Sequence, residues 1–333
     1  MKKANHLIEK AANPENLRLA FWKAKKGKSY GQNVLAYQAR LEENLARLRE
    51  QILSGNVDVG HYRFFKIFDP KERQICAPAF AEQVLHHALM NACHERFERA
   101  QVFDSYASRR GKGTHAALKR AAGFARQHGW FLKLDVRKFF DSIHHRMLKR
   151  QLGQLFKEEK LLGLFDKILD SYQASPHRGL PIGNLTSQYF ANHYLTGLDH
   201  FIREKICPAG YVRYMDDFVL WSDDPRFLRK ALAEVQAFVQ DELLCELKPP
   251  SLNRSACGLP FLGYLLLPHQ IRLAQRSKRR FVKKWRILDE KYHTGEWSEA
   301  ICQRHVLPLV AFTAHADAKA FRRNVLPNSC SAA

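Results

Sequence analysis

Cysteine is sparse and carries no pairing pattern. The seven cysteines stand at positions 76, 93, 207, 245, 257, 302 and 330, with no CxxC pair and an odd total. This argues against a disulfide framework or a thiolate zinc site and fits a reducing, cytoplasmic setting. Long apolar runs are also missing. None approaches the roughly 18 residues needed to span a bilayer, and the polar, charged N-terminus lacks the apolar centre of a secretory signal. There are no internal repeats and no low-complexity linker. Acidic residues are few, 33 against 54 Lys and Arg, for a net charge of +21. Such an excess points to a polyanion, because each neutralised phosphate releases counterions. A nucleic acid is therefore expected as partner, and a membrane is not. The 333 residues allow a sizeable core in about two domains or one multi-lobed body.

Residues 1–33 are polar and basic. Lys23, Lys25, Lys26 and Lys28 are interleaved with Phe21, Trp22 and Tyr30, a composition suited to stacking on single-stranded RNA and equally to a solvated loop. Leu41, Leu45, Leu48 and Ile52 form one apolar stripe in a helix over about 35–53. Strands are expected at 62–68 and 74–78, joined by a turn that presents Lys71 and Arg73. A helix over 79–100 carries His86 and His87, for which packing and solvent contact are expected, since no ligand partner stands at metal spacing. In the segment 105–114, Arg109, Arg110 and Lys112 alternate with two glycines that let backbone approach phosphates closely. The GxxxxGK[ST] spacing of a P-loop is absent. Helices follow over 115–128, 144–174 and 187–206, and another around 227–239. From Arg272 the chain turns strongly basic, with Lys278, Arg279 and Lys283 on a helix that interleaves Phe281, Trp285 and Leu288. One face of such a helix packs and the other can follow a nucleic-acid backbone.

Two acidic strand ends carry the chemistry. Tyr211-Val212-Arg213-Tyr214-Met215-Asp216-Asp217-Phe218-Val219-Leu220-Trp221 reads as an antiparallel hairpin with carboxylates at its tip. Upstream, Trp130-Phe131-Leu132-Lys133-Leu134 is a short, mostly apolar strand that ends at Asp135. Adjacent carboxylates in apolar surroundings repel and are costly to desolvate. A divalent cation relieves both, and magnesium takes hard oxygen ligands while leaving room for phosphates. Three such carboxylates suit two metals in an in-line phosphoryl transfer.

These motifs resemble those of reverse transcriptases. Tyr214-Met215-Asp216-Asp217 looks like the YxDD box, and Lys133-Leu134-Asp135-Val136-Arg137-Lys138-Phe139-Phe140-Asp141 looks like the first palm motif. Most bacterial reverse transcriptases carry a QGxxxSP-like sequence where this chain has Ile182-Gly183-Asn184-Leu185-Thr186-Ser187-Gln188. That IGNxTSQ form is similar to the enzymes of diversity-generating retroelements, as is Ser105-Tyr106-Ala107-Ser108-Arg109-Arg110-Gly111-Lys112-Gly113-Thr114. Those enzymes copy a template-repeat RNA into cDNA with frequent errors at adenines.

The resemblance implies an α+β right-hand polymerase with fingers, a palm of antiparallel sheet backed by helices, and a short helical thumb. Its expected divisions are a basic, helical N-terminal extension at 1–60, fingers at 61–130, palm at 131–268 with a fingers insertion around 144–188, thumb at 269–326, and a disordered tail at 327–333. It implies Asp135, Asp216 and Asp217 as catalytic residues, holding two Mg2+ (or Mn2+) ions together with the Val136 carbonyl. Lys71, Arg73, Phe140, Ile182, Gly183 and Lys248 would meet the incoming nucleotide. Phe140, five residues after Asp135, stands where related polymerases place a ring that rejects the ribose 2′-hydroxyl, and Lys248 where they often place a lysine that assists pyrophosphate departure. Arg109, Arg110, Lys112, Gln188, Tyr214, Gly263 of the Phe261-Leu262-Gly263-Tyr264 primer grip, Lys278, Arg279 and Lys283 would meet nucleic acid. Partners implied are template RNA, primer or cDNA, dNTPs and a small, basic, oligomeric accessory protein. A reverse transcriptase of another bacterial class and a non-catalytic RNA-binding scaffold remain as alternatives.

Overall fold

The computed structural model describes residues 6–28, 30–68 and 72–326. Helices α1 (Leu7–Ala11), α2 (Pro14–Lys25), α3 (Gln32–Ala39) and α4 (Leu41–Ser54) lead to strands β1 (Tyr62–Phe68) and β2 (Glu72–Pro78). After α5 (Phe80–Ala100) and α6 (Thr114–Gln127) come β3 (Trp130–Asp135), α7 (Phe139–Ser142), α8 (His145–Leu155), α9 (Glu159–Asp170), α10 (Leu185–Tyr194) and α11 (Thr196–Phe201). The hairpin β4 (Gly210–Tyr214) and β5 (Asp217–Ser222) precedes α12 (Pro225–Asp241). Short strands β6 (Ser251–Arg254), β7 (Leu259–Phe261), β8 (Tyr264–Leu267) and β9 (Gln270–Leu273) lead into α13 (Gln275–His293), α14 (Glu299–Ala314) and α15 (Lys319–Val325). No helix among the described residues is long and apolar enough to cross a membrane.

The chain divides into two compact units. The first is drawn from residues 1–109, 135–207 and 233–248, the second from 110–134, 208–232 and 249–333. In the first, α5 is the central helix. Val84, Leu85, Ala88, Leu89 and Cys93 are buried along it, and Phe97 stacks edge-on against Phe156 at 5.3 Å. Phe165 and Phe190 extend this aromatic cluster at 5.2 Å. Before residue 33 the helical extension takes the form of α1 and α2, and not of a solvated loop. Asn13 accepts hydrogen bonds from the Glu15 and Asn16 amides and Pro14 occupies the first turn, a strong helix start. Phe21 is fully buried, so it is core and not a stacking surface. Trp22 stays exposed, with the Lys25 ammonium 5.1 Å from its ring centroid. The helix expected over 35–53 is broken at Arg40, whose backbone leaves the helical region.

In the second unit the sheet has strand order β4-β5-β3-β6. β4 and β5 pair antiparallel with Tyr214 opposite Asp217, and β3 and β6 pair antiparallel with Trp130 opposite Arg254. Tyr211, Val212, Phe218, Leu220 and Trp221 are fully buried, which explains why the hairpin reads as a nearly continuous apolar run. Helix α6 packs on this sheet through Phe124, 5.4 Å from the Trp221 ring centroid. Gly210 permits that approach, since a Cβ there would lie 2.6 Å from the Phe124 ring. A separate three-stranded sheet, β7-β8-β9, precedes the three helices of the basic C-terminal region. Phe281 of α13 is buried as its spacing suggests, and Tyr264 donates to the Phe312 carbonyl of α14 at 2.6 Å.

Histidines of the first unit make its stability depend on pH, chiefly His86 and His193, with the half-buried His87, which burial pushes down to about 4, adding a smaller share. Burial pushes His86 down to about 3, with the neighbouring His87 adding to it. Burial likewise pushes His193 down to about 4. Both stay neutral in the folded chain while the unfolded chain protonates them near their ordinary value of 6.5. Stability is therefore fully present above that value. As pH falls below it, about 1.4 kcal/mol is lost per pH unit for each group. Glu82, whose carboxyl burial pushes up, offsets part of this at lower pH. Urea unfolding at pH 7 and pH 5.5 should show a drop in stability of about 3 kcal/mol, and equal midpoints would contradict it.

Candidate active site

The hairpin tip is a two-residue turn, Met215-Asp216, closed by the Tyr214–Asp217 pair. Tight turns of this length favour positive φ, and Met215 adopts φ 57°, a region that costs energy for a residue with a side chain. The buried Arg213 secures it by donating from Nη1 to the Met215 carbonyl at 3.0 Å. The turn thus presents Asp216 and Asp217 at a fixed place, both half-buried. Asp217 Oδ2 lies 3.0 Å from Lys133 Nζ. The Tyr214 hydroxyl accepts a hydrogen bond from Thr114 Oγ1 at 3.1 Å.

Asp135 closes β3, the strand beside β5 in the sheet order. Within the first unit, its carboxylate is hydrogen-bonded and ion-paired by Lys248. The backbone confirms the register: Lys248 N–H donates to the Asp135 carbonyl and Arg137 N–H to the Glu246 carbonyl, each at 2.8 Å. Val136 and Leu247 form the antiparallel bridge between these bonds. In that pattern the Val136 carbonyl points away from residue 247 and is left for another partner. Among the described residues, no three His, Cys, Asp or Glu side chains gather as a metal cluster.

The first unit also assembles the Ile182-Gly183 segment. Cys76 N–H of β2 donates to the Ile182 carbonyl at 2.8 Å. Gly183, at φ 129°, brings its Cα so near that a Cβ would lie 2.8 Å from the Cys76 carbonyl. On its other side the same loop is tied to α7 and the turn after it. Leu180 N–H donates to the Phe140 carbonyl at 2.7 Å and Gly179 N–H to the Ile143 carbonyl at 2.9 Å, while His145 Nε2 is hydrogen-bonded to the Gly179 carbonyl at 2.7 Å. The Phe140 ring is half-buried and meets Phe139 edge-on at 5.8 Å. Arg73 is exposed on β2, and Lys71 lies outside the described residues.

Of the residues expected at nucleic acid, Arg110, Gln188, Arg279 and Lys283 are exposed, while Lys112 and Lys278 are half-buried. Gln188 Oε1 accepts from Ser108 Oγ at 3.0 Å. Lys278 lies 5.8 Å from the Phe321 ring centroid. Gly263 is explained by packing: its φ is 90°, a Cβ would come within 3.0 Å of Ser277 Oγ, and its carbonyl accepts from Ser277 Oγ at 2.7 Å. Arg109 is a correction. Its side chain is only 8% exposed and pairs with Glu98 at 2.6 Å. Its remaining donors reach the carbonyls of Val102 and Ser105. The guanidinium is committed to holding the 102–109 loop against α5 and is not presented to a phosphate. Glu98 is remote enough in sequence that no local pattern signals the pair. Lys133 sits within a mostly apolar run that hides its role in the sequence, although its spacing of two from Asp135 in a strand places both on one face.

The family model for reverse transcriptase (RNA-dependent DNA polymerase) matches residues 69–249, more than half of the chain. The chain belongs to the reverse transcriptase family. By family it is an RNA-directed DNA polymerase. It is 23% identical over 301 residues to Protein YkfC of Escherichia coli, covering 74% of this chain and 76% of that protein. It is 29% identical over 141 residues to the group II intron-encoded protein LtrA of Lactococcus lactis, covering 40% of this chain and 23% of LtrA. The telomerase of Candida tropicalis, solved in complex with the TWJ fragment of telomeric RNA, matches with a TM-score of 0.50 at 11% identity, over 80% of this chain and 55% of the telomerase chain. That likeness concerns the fold alone, and it agrees with an α+β polymerase. The chain thus spans about a quarter of LtrA and about half of the telomerase chain.

The assignment of Arg109 to loop support is testable. Arg109→Met should cost about 3 kcal/mol of stability, because it leaves a partly buried Glu98 unpaired. The slope of RNA affinity against salt should not change, since no phosphate contact is lost. Thermal melting and a salt titration of RNA binding check the two halves. A shallower slope with unchanged melting would return Arg109 to the nucleic acid.

Proposed function

We propose that this reverse transcriptase copies a template-repeat RNA into error-prone cDNA, with errors concentrated at adenines, as the family of diversity-generating retroelements does. Asp135, Asp216 and Asp217, with the Val136 carbonyl, would hold divalent metal. The donor set fits: these are hard oxygen ligands, the carboxylates are half-buried, and two of them already balance a cationic lysine. A magnesium site of few protein ligands, completed by water and substrate phosphates, is this ion's usual preference, so the lack of a closed cluster among the described side chains suits it. When bound, the ions supply activation of a primer 3′-hydroxyl and neutralisation of the triphosphate. The chain's own residues do the rest. Arg73, exposed on the fingers hairpin, offers a bidentate phosphate contact, with Lys71 beside it in sequence and Lys248 near the leaving group. Phe140 leaves no volume for a 2′-hydroxyl. The proposed divisions are those of fingers, palm and helical thumb, with Arg110, Lys112, Gln188, Tyr214, Gly263, Lys278, Arg279 and Lys283 along the template and primer. A small, basic accessory protein and a cytoplasmic location belong to the same reading.

The observation that carries the mutagenic part is Ile182. The segment that bears it is stitched to β2 by the Cys76 hydrogen bond, which supports a place beside that strand. A half-buried apolar side chain stands there, where most bacterial relatives have a glutamine that orients the nucleotide. Loss of that polar contact loosens discrimination between nucleotides. The relatives named for group II introns favour a second reading, a reverse transcriptase of another bacterial class with ordinary accuracy.

Primer extension on a defined RNA with Mg2+, with and without a candidate accessory protein, separates these readings when the cDNA is sequenced. Errors concentrated opposite adenines support the first, and few, evenly spread errors support the second. Asp216→Asn should abolish product. RNA binding with no product from the wild type would point to a non-catalytic scaffold. Ile182→Gln should lower misincorporation by about tenfold, roughly the worth of one hydrogen bond. An unchanged error rate would remove Ile182 from the account.

A further inference from the structure

Lys133 lies in a strand whose preceding residues, Trp130, Phe131 and Leu132, are apolar, with Leu134 after it. Its side chain is 21% exposed. An ammonium so placed is costly unless it is paired and hydrogen-bonded. The second unit supplies three partners. Nζ lies 3.0 Å from Asp217 Oδ2. It donates to the Pro260 carbonyl at 2.8 Å. It also stands 5.9 Å from the Phe261 ring centroid. Pro260 and Phe261 belong to β7, which turns through Leu262-Gly263 into β8. One lysine thus touches both the acidic hairpin and the strand that opens the primer-grip turn.

We propose that Lys133 is a positioning residue for nucleotidyl transfer, fixing the Asp217 carboxylate and tying it to the β7–β8 turn. The proposal rests on the polymerase reading and on Asp217 as a metal-facing carboxylate. Two consequences of the ammonium have opposite sign. By holding the carboxylate in one place, it raises the rate of any step that needs that place. By setting a positive charge beside the same carboxylate, it weakens the binding of a divalent cation there. A lysine that merely packs would not divide rate from affinity in this way.

The test compares the full chain with Lys133→Met, which keeps length and loses charge, and with Lys133→Arg, which keeps the charge and the donors. Mn2+ binding is read by electron paramagnetic resonance without nucleic acid, and incorporation kinetics and thermal melting are measured alongside. In Lys133→Met, kcat should fall roughly tenfold to a hundredfold, the range for a lost charge-assisted hydrogen bond. Its KM for dNTP should stay within about twofold, and Mn2+ should bind roughly threefold to tenfold more tightly. Lys133→Arg should move rate and affinity back toward the wild type. Unchanged rate and Mn2+ affinity in Lys133→Met would overturn the proposal. So would a joint fall of rate, Mn2+ affinity and melting temperature that Lys133→Arg does not rescue. A wild type that incorporates no nucleotide would sink the polymerase reading instead, and the Mn2+ titration would still decide whether Lys133 acts on Asp217.

Discussion

Asp217 lies 3.0 Å from the Lys133 ammonium, and Asp135 is ion-paired by Lys248. Each of these half-buried carboxylates gives up part of its hydration. Positive charge must be brought to them, and in this chain two lysines bring it. Much of the local structure serves that condition. The Met215 turn, held in a strained conformation and clasped by Arg213, aims the acidic pair. The bridge between Val136 and Leu247 sets Lys248 across from Asp135. Side chains that carry single positive charges are suited to such a site because they neutralise the carboxylates without closing a cage around them.

The Ile182 loop obeys a different constraint. It is irregular backbone held between two elements, and its polar groups need partners. Cys76, Phe140, Ile143 and His145 supply them. Gly183 lies against the Cys76 carbonyl because no Cβ fits between them. The backbone at this place is therefore tied on both sides. In the proposed reading, the half-buried apolar side chain of Ile182 changes the chemistry offered to a nucleotide while this backbone keeps its bonds.

What the sequence revealed depended on how local the cause was. The β4–β5 hairpin, α5 and α6 were legible because their apolar patterns and turn residues lie within each element. The acidic residues were legible because carboxylates beside apolar strands require explanation. The N-terminal extension was expected to be helical, but lysine density hid where its first helices run, although Asn13-Pro14 is a sound helix start and Leu17, Ala20, Phe21 and Ala24 form the buried stripe of α2. Strands β6 to β9 are three or four residues long, too short to show a period. Arg109 was read from its glycine-rich neighbours, while its partner Glu98 sits at the far end of α5. Lys133 is explained by Asp217 and Pro260, which folding brings to it from distant parts of the chain.

The central proposal is that Asp135, Asp216 and Asp217 would together hold the metal ions of nucleotide transfer. The most direct measurement is anomalous diffraction from crystals of the protein with RNA template, a primer lacking its 3′-hydroxyl, an incoming dNTP and Mn2+. The account predicts Mn2+ peaks ligated by all three carboxylates and by the triphosphate. Mn2+ bound elsewhere, with Asp135 and Asp217 still paired to Lys248 and Lys133 alone, would contradict it.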